Sequence, residues 1–87
     1  MYYYTYVLES LKNKSLYIGY TSNLKKRFEE HNSGKSKATR PFIPYKLIHL
    51  EGFVSRADAK GREVYLKSGW GRKTLQKLLA RYFENRI

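Results

Sequence analysis

The chain has 87 residues, and 18 lysines and arginines against 7 acidic residues give it a net charge of +11. It contains 9 tyrosines, 2 histidines and no cysteine. This length is typical of one domain, so we expect a single domain over residues 1–87. The absence of cysteine excludes disulfide scaffolds, thiolate zinc sites and cysteine nucleophiles. The large positive excess favours a polyanionic partner, above all nucleic acid.

The sequence predicts no association with a membrane. No apolar run approaches the ~20 residues that a membrane-spanning helix requires. The opening segment, MYYYTYVLES, has neither the basic leader nor the small-residue cleavage site of a signal peptide. We therefore expect the protein to reside in the cytoplasm.

The first predicted elements are two strands that form a hairpin. Residues 2–8 and 16–21 are rich in aromatic and β-branched side chains, which favour a half-buried strand. The polar segment 9–15 between them predicts the turn. In such a hairpin Tyr6 and Tyr17 lie on neighbouring strands and would face each other.

A helix is predicted to follow the hairpin. Capping oxygens at residues 21–23 indicate its start, and the segment Asn32-Ser33-Gly34 indicates its end. Helical periodicity places Arg27 and His31 on the same stripe as the apolar residues of this helix. An arginine on such a stripe is costly unless it is paired or faces a cleft.

A basic loop and a third strand come next. Residues 33–44 combine two prolines and a glycine with lysines and arginine, which indicates a loop. Residues 45–53, YKLIHLEGF, are typical of a strand. Alternation predicts that four side chains share one face of this strand: Tyr45, Leu47, His49 and Glu51.

Two helices are predicted at the end of the chain. Ser55 begins a capping box, and Gly69 is expected to end the helix that follows. In that helix Glu63 lies in the apolar seam, so one carboxylate faces inward. A final helix is predicted from about Arg72 to Phe83. Its inward residues are expected to be Leu75, Leu78, Leu79 and Tyr82.

The positive charge lies mainly in two blocks, residues 23–46 with +5 and residues 71–87 with +4. We interpret both as surfaces that contact a nucleic-acid backbone, although solvated faces are the ordinary alternative. In the second block three residues spaced by four would form a stripe along the helix that follows phosphates. The candidate contacts are Lys26, Lys35, Lys37 and Arg40 in the first block and Lys73, Lys77 and Arg81 in the second.

Three inward positions are not apolar: Arg27, His31 and Glu63. Phosphodiester hydrolysis requires a cation for the developing charge, a carboxylate that binds a divalent metal, and a group that orients or deprotonates water. Arginine, glutamate, and a tyrosine or histidine supply these types, and a single glutamate suffices in principle for Mg²⁺. An Arg–Glu ion pair that clamps two helices over core tyrosines has roughly equal weight.

The motifs at these positions resemble the GIY-YIG endonuclease superfamily. The matching segments are YTYV at residues 4–7, LYIG at 16–19, LKKR at 24–27 and EHN at 30–32. The similarity extends over the whole chain and is that of the small single-domain bacterial members. It implies an α+β fold with a three-stranded antiparallel sheet flanked by helices, in the order β-β-α-β-α-α.

The resemblance also implies an activity and roles for particular residues. Such domains hydrolyse DNA with one divalent metal, usually Mg²⁺, for which Mn²⁺ is the alternative. Tyr6 and Tyr17 match the two motif tyrosines, one of which helps to deprotonate the attacking water. Arg27 would stabilise the phosphate charge, His31 would be hydrogen-bonded near the nucleophile, and Glu63 would be the metal ligand. The expected substrate is DNA, branched or otherwise structured, in repair or recombination.

The sequence departs from the family pattern at several positions, among them Tyr4 and Thr5, which replace the glycine and isoleucine of the first motif. Tyr20 follows the YIG segment where some relatives have a lysine, and no asparagine occurs at residues 75–78, where many members carry one after the glutamate. The alternative function is therefore a nucleic-acid-binding module of the same fold with little or no cleavage. A protein–protein adaptor is the third hypothesis.

Overall fold

A three-stranded antiparallel sheet with strand order β2-β1-β3 forms the centre of the fold in the computed structural model, which describes residues 1–85. The predicted α+β fold is confirmed, with one helix more than predicted. The strands are Tyr3–Ser10 (β1), Leu16–Thr21 (β2) and Tyr45–Phe53 (β3). The helices are Leu24–Asn32 (α1), Arg56–Lys67 (α2), Gly69–Leu78 (α3) and Ala80–Asn85 (α4), and a 3₁₀ turn spans Arg40–Phe42.

The sheet separates two apolar clusters. On the face covered by α2 and α3, the buried residues are Val7, Ile18, Leu66 and Leu75. On the face covered by α1, Tyr6, Leu8 and Tyr45 are buried, and Leu24 and Phe28 of α1 pack against them. None of the helices within residues 1–85 is long and apolar enough to cross a membrane.

A register shift in β3 corrects one sequence-based prediction. Between residues 7 and 8 of β1 the pairing with β3 skips Ile48, so the side-chain alternation reverses there. Tyr45 packs on the α1 side of the sheet, whereas Glu51 pairs with Arg62 of α2 on the other side. The single face predicted for the four odd-numbered residues from Tyr45 to Glu51 is therefore wrong.

The predicted starts of α1 and α2 and the predicted end of α1 are confirmed by their caps. The Asn23 side chain accepts a hydrogen bond of 3.1 Å from the backbone N–H of Lys26. Gly34, just beyond α1, has a positive φ of 83°, a conformation that glycine adopts without steric cost. At the start of α2 the Ser55 hydroxyl accepts from the backbone N–H of Asp58 at 3.4 Å.

The prediction for the last helices is wrong in two respects. Ser68, rather than Gly69, ends α2, and its side chain caps α3 by accepting from the Gly71 N–H at 3.1 Å. A new helix begins at Gly69, because the Ser68 side chain satisfies a backbone N–H group in its first turn. The helix then breaks at Leu79, whose φ of −110° and ψ of 22° are not helical.

The inward side chains predicted for the last helices are confirmed in part. Leu75 is buried as predicted, but Leu78 is 52% exposed. Arg81 lies in α4, so the predicted stripe of Lys73, Lys77 and Arg81 does not run along one helix. Leu79 packs against the apolar cluster under α2 and α3, and the half-buried Tyr82 donates to Glu9, so both face inward as predicted.

Candidate active site

Tyr6 lies at the centre of the candidate site, buried on β1 directly opposite Gly19 of β2. A Cβ atom added at Gly19 would lie 2.5 Å from the Tyr6 hydroxyl oxygen and 2.6 Å from its ring carbon Cζ. Only a residue without a side chain leaves space for this ring over β2. The glycine of the YIG segment thus leaves room for the Tyr6 ring and its hydroxyl.

His31 continues the site from α1. Its Nε2 lies 3.0 Å from the Tyr6 hydroxyl, and its Nδ1 lies 2.9 Å from the hydroxyl of Thr39, in the loop between α1 and β3. The Thr39 hydroxyl has the Ser36 carbonyl as its own acceptor, at 3.5 Å. A neutral imidazole with its proton on Nδ1 satisfies this row: Tyr6 donates to Nε2, and Nδ1 donates to Thr39.

Burial holds both partners of the Tyr6–His31 hydrogen bond in their neutral forms. Burial is the main cause that raises the pKa of Tyr6 to about 12, and the neighbouring Tyr17 adds to it. Burial also lowers the pKa of His31 to about 4, with a further contribution from the positive charge of Arg27. Near neutral pH, Tyr6 is therefore a phenol and His31 an uncharged ring.

Tyr17 is the tyrosine of the pair that reaches solvent. Its ring centroid lies 4.6 Å from that of His31 and 6.4 Å from that of Tyr6, so the three rings form one aromatic group. Tyr17 is half-buried, whereas Tyr6 and His31 are buried. The structure thus brings together the two tyrosines and the histidine predicted from the sequence, with Tyr17 at the surface.

Arg27 lies beside the tyrosine hydroxyls on the partly exposed side of α1. Its Nη1 donates to Glu30 at 3.3 Å. Burial acts to lower the pKa of Arg27, but hydrogen bonding involving Tyr6, Glu30 and Tyr17 outweighs it and raises the pKa above its usual value. Among residues 1–85 the ion pair of Arg27 is to Glu30, so the alternative of an Arg27–Glu63 clamp is wrong.

Glu63 approaches the group from α2. Its side chain is 8% exposed, and its two oxygens lie 3.1 Å from Nζ of Lys60 and 2.7 Å from Nζ of Lys67. Burial raises the pKa of Glu63, but hydrogen bonds from Lys67 and Lys60 outweigh it and hold the pKa below its usual value. The Glu63 charge in turn contributes to the raised pKa of Tyr6. The carboxylate is therefore ionised, and its charge acts on the Tyr6 hydroxyl.

The candidate site offers a metal ion a single carboxylate, that of Glu63. Within residues 1–85 no group of three or more histidine, aspartate or glutamate side chains is arranged to hold a metal. Mg²⁺ is commonly bound by one or two carboxylates together with substrate phosphates, and it keeps several waters. Glu63 therefore fits an ion that is shared with a phosphate, but not one held by the protein alone.

The predicted nucleic-acid contacts are spread over the surface rather than gathered at the site. Lys26 and Lys35 line a shallow cavity of about 270 Å³ beside α1, and Arg40 donates to the Gly34 carbonyl at 2.7 Å. Lys73 lies 4.9 Å from the centroid of the exposed Trp70 ring. The others, Lys37, Lys77 and Arg81, are exposed in the loop, α3 and α4.

Three residues of this site were not predicted from the sequence: Lys60, Lys67 and Thr39. Lys60 and Lys67 lie three residues before and four after Glu63, and that helical spacing was a usable signal for ion pairs. Thr39 gave no signal, because it occurs in a polar loop without periodicity. Its burial follows from the way the loop folds back over His31.

A family model described as the GIY-YIG catalytic domain matches residues 2–77 of the chain. A UPF0213 protein of Streptococcus pneumoniae serotype 4 is 48% identical over 65 residues, which are 74% of this chain and 65% of that relative. A UPF0213 protein of Bacillus licheniformis is 41% identical over 85 residues, 97% of this chain and 81% of the relative. The match to the streptococcal relative thus spans slightly less than two thirds of its length.

Among solved structures, the chain is similar to the solution NMR structure of the UPF0213 protein BH0048 from Bacillus halodurans. The two share 36% sequence identity with a TM-score of 0.56, over 90% of this chain and 85% of that one. This similarity supports the arrangement of sheet and helices described above.

Proposed function

Because the chain belongs to the GIY-YIG catalytic domain family, we propose that it is a metal-dependent endonuclease that hydrolyses phosphodiester bonds in DNA. One observation supports this most directly. Tyr6 on β1 interacts with Tyr17 of β2 and Arg27 of α1, and it also feels the charge of Glu63 on α2, so groups from four elements act on one another around its hydroxyl. These are the groups that water activation, charge stabilisation and metal binding require.

Each residue would have a distinct task. Arg27, partly exposed and fully charged, would contact the non-bridging oxygens of the scissile phosphate and stabilise the charge that develops there. Tyr17, the accessible tyrosine, would orient the attacking water. Tyr6 and His31 are positioning residues, since both are buried and neutral and fix the Tyr17 ring by packing.

Glu63 would hold a Mg²⁺ or Mn²⁺ ion together with the phosphate. When bound, such an ion supplies charge neutralisation for the phosphate and the leaving oxygen. Lys60 and Lys67 would then be released from Glu63 toward the incoming phosphates. Both lysines are about half exposed, so this requires only a change of side-chain rotamer.

Incubation with labelled duplex, flapped and branched DNA in Mg²⁺ or Mn²⁺ tests the proposal. We expect cleavage by the native chain and a loss of roughly 100-fold or more in Glu63→Gln and Arg27→Ala. Glu84→Gln, the same change at an exposed glutamate of α4, is the matched control and should cut at the native rate. Cleavage at an equal rate in Glu63→Gln would refute the site, and circular dichroism would verify that each variant folds.

A nucleic-acid-binding module with little cleavage is the second candidate. It is favoured by the state of Glu63, whose two oxygens are both paired with lysines. Under this hypothesis, DNA binding would depend steeply on salt and would be unchanged in Glu63→Gln, and no product would form in any divalent metal.

A further inference from the structure

An open cavity of about 540 Å³ lies beside the candidate active site, on the α2 face of the sheet. This volume is within the range of ligand sites, about 300–1,000 Å³. Its lining residues are Met1, Tyr3, Tyr20, Thr21, Ser22 and Arg56. Tyr20 pairs with Thr5, and Tyr3 precedes Thr5 by two residues, so alternation places both tyrosines on this face.

Lys60 contacts both the cavity and the candidate active site. The Nζ of this lysine lies 3.1 Å from Glu63 Oε1 and 5.1 Å from the centroid of the Tyr20 ring. Tyr20 also follows Gly19, the residue over which the Tyr6 ring lies. A group bound in the cavity would therefore be a close neighbour of a phosphate held at Glu63.

The lining has the chemistry of a nucleotide site. Two half-buried tyrosine rings offer faces on which a base would stack, and such stacking tolerates any base. Arg56 is exposed and, among residues 1–85, forms no hydrogen bond or ion pair, so its guanidinium is free to bind a phosphate. None of the six lining residues is acidic. A base within a duplex must first be unstacked and unpaired, at a cost in free energy, so the cavity favours a base that is already unpaired.

We infer that this cavity binds an unpaired nucleotide of the DNA, next to the scissile phosphate. The inference rests on the proposed function and specifies its substrate. The enzyme selects DNA in which single-stranded nucleotides adjoin the cleaved bond, as at a flap, a tail or a junction. Tyr20 and Tyr3 stack the base, Arg56 contacts its phosphate, and Lys60 lies between this nucleotide and Glu63.

Binding without metal tests the inference separately from cleavage. The affinity of the full chain for a blunt duplex is compared with that for the same duplex carrying a short unpaired tail, by fluorescence anisotropy in EDTA. We expect the tail to tighten binding roughly five- to 150-fold, the range for stacking of one base on an aromatic side chain. A 2-aminopurine in the tail should be quenched on binding.

Variants of the lining residues test whether the tighter binding of tailed DNA depends on the cavity. Tyr20→Leu and Arg56→Gln should each lose most of the gain from the tail, whereas Tyr20→Phe keeps the ring and should retain it. Trp70→Leu removes a ring that is 72% exposed outside the cavity and is the matched control. Arg56→Gln lies at an exposed helix start, so it tests the site even if Tyr20→Leu fails to fold.

The outcomes separate this inference from the proposed function. Equal binding of blunt and tailed DNA, or equal weakening of both by Tyr20→Leu, would overturn the cavity assignment. Cleavage of DNA without preference for a tail would overturn it as well, while the endonuclease proposal would stand. A tail preference that depends on Tyr20, with no cleavage in any metal, would support the cavity and overturn the endonuclease.

Discussion

The buried row of Tyr6, His31 and Thr39 holds its protons in one arrangement. A raised pKa of about 12 keeps the Tyr6 hydroxyl a donor, and a lowered pKa of about 4 keeps His31 an acceptor at Nε2. Tyr6 is therefore poorly suited to take a proton from water at neutral pH. Of the two motif tyrosines, Tyr17 is the better candidate for contact with the attacking water, since it is the more accessible.

The lowered pKa of His31 predicts how the stability of the fold depends on pH. Its pKa is about 4 in the folded chain and about 6.5 in an unfolded one, so between these values the unfolded state binds the extra proton. The stabilisation is fully present above pH 6.5 and is lost as the pH falls toward 4. We expect the free energy of unfolding to drop by up to about 3 kcal/mol over this window.

Urea unfolding followed by circular dichroism at pH 7 and at pH 4.5 measures this change. The comparison is with His31→Gln, which cannot take up the proton and should lose less stability on acidification. The carboxylates, including Glu63, titrate in both proteins, so their contribution cancels in the difference. Equal losses in the two proteins would show that His31 is not the titrating group.

Because Lys60 and Lys67 each pair with a Glu63 oxygen, we expect them to compete with a metal ion for this carboxylate. Lys67→Met removes the shorter contact, 2.7 Å to Oε2, and should raise the pKa of Glu63 while freeing one oxygen for an ion. Exposed ion pairs contribute about 0.2–1 kcal/mol, so Mn²⁺ affinity should rise only about 1.4- to five-fold. Electron paramagnetic resonance of free Mn²⁺ measures this affinity in the presence of a non-hydrolysable DNA duplex, which supplies the phosphate that shares the ion with Glu63.

Two control variants are needed for the Mn²⁺ titration. Lys77→Met removes an exposed lysine far along α3 and should leave Mn²⁺ affinity unchanged, and Glu63→Gln should abolish the site. Unchanged affinity in Lys67→Met would mean that the ion does not replace this lysine at Glu63.

At the level of elements, α2 and α3 pack so closely that only glycine fits where they meet. Ser68 ends one helix and caps the next, and Gly71 lies against the backbone of Tyr65 and Leu66. A Cβ at Gly71 would overlap the Tyr65 carbonyl oxygen and the Leu66 backbone, which are rigid parts of α2. This approach fixes α3 over the buried Leu66 and Leu75.

A pair of glycine variants tests this packing. Gly71→Ala should destabilise the fold by about 3 kcal/mol or more, because backbone atoms cannot yield as a flexible side chain would. Gly61 lies inside α2 with nothing within 4 Å of its would-be Cβ, so Gly61→Ala should stabilise by about 0.5–1 kcal/mol. Urea midpoints of the two variants measure both effects, and similar shifts would contradict the packing argument.

Local signals predicted some elements and not others. Asn23 and Ser55 mark helix starts because a cap acts within three residues of its own position. The register shift at Ile48 was not predictable, since alternation in residues 45–53 continues without interruption and pairing with β1 decides the faces. Ser68 was missed because one residue serves two helices, a role that depends on how they pack.

At the level of the whole molecule, the two basic blocks lie at different distances from the site. The loop 33–44 is tied to it through Thr39, which contacts His31. The helix α4 is anchored by the Tyr82 hydroxyl, which donates to Glu9 at 2.6 Å. Glu9 is three residues beyond Tyr6, roughly 10 Å along β1. A single domain over residues 1–87 stays a prediction, since residues 86–87 lie outside the described part of the chain.

This arrangement predicts unequal roles for the blocks in binding DNA. The logarithm of the binding constant should fall linearly with the logarithm of salt concentration, because each neutralised phosphate releases counterions. Replacing two contacting lysines should lower that slope by about 2. We expect this for Lys35→Ala with Lys37→Ala, whose loop adjoins the site, and little change for Lys77→Ala with Arg81→Ala. Both pairs remove the same charge, so net charge alone would predict equal effects. Anisotropy titrations over a range of salt distinguish a specific loop surface from a general attraction, and the reverse ranking would place the DNA along α3 and α4 instead.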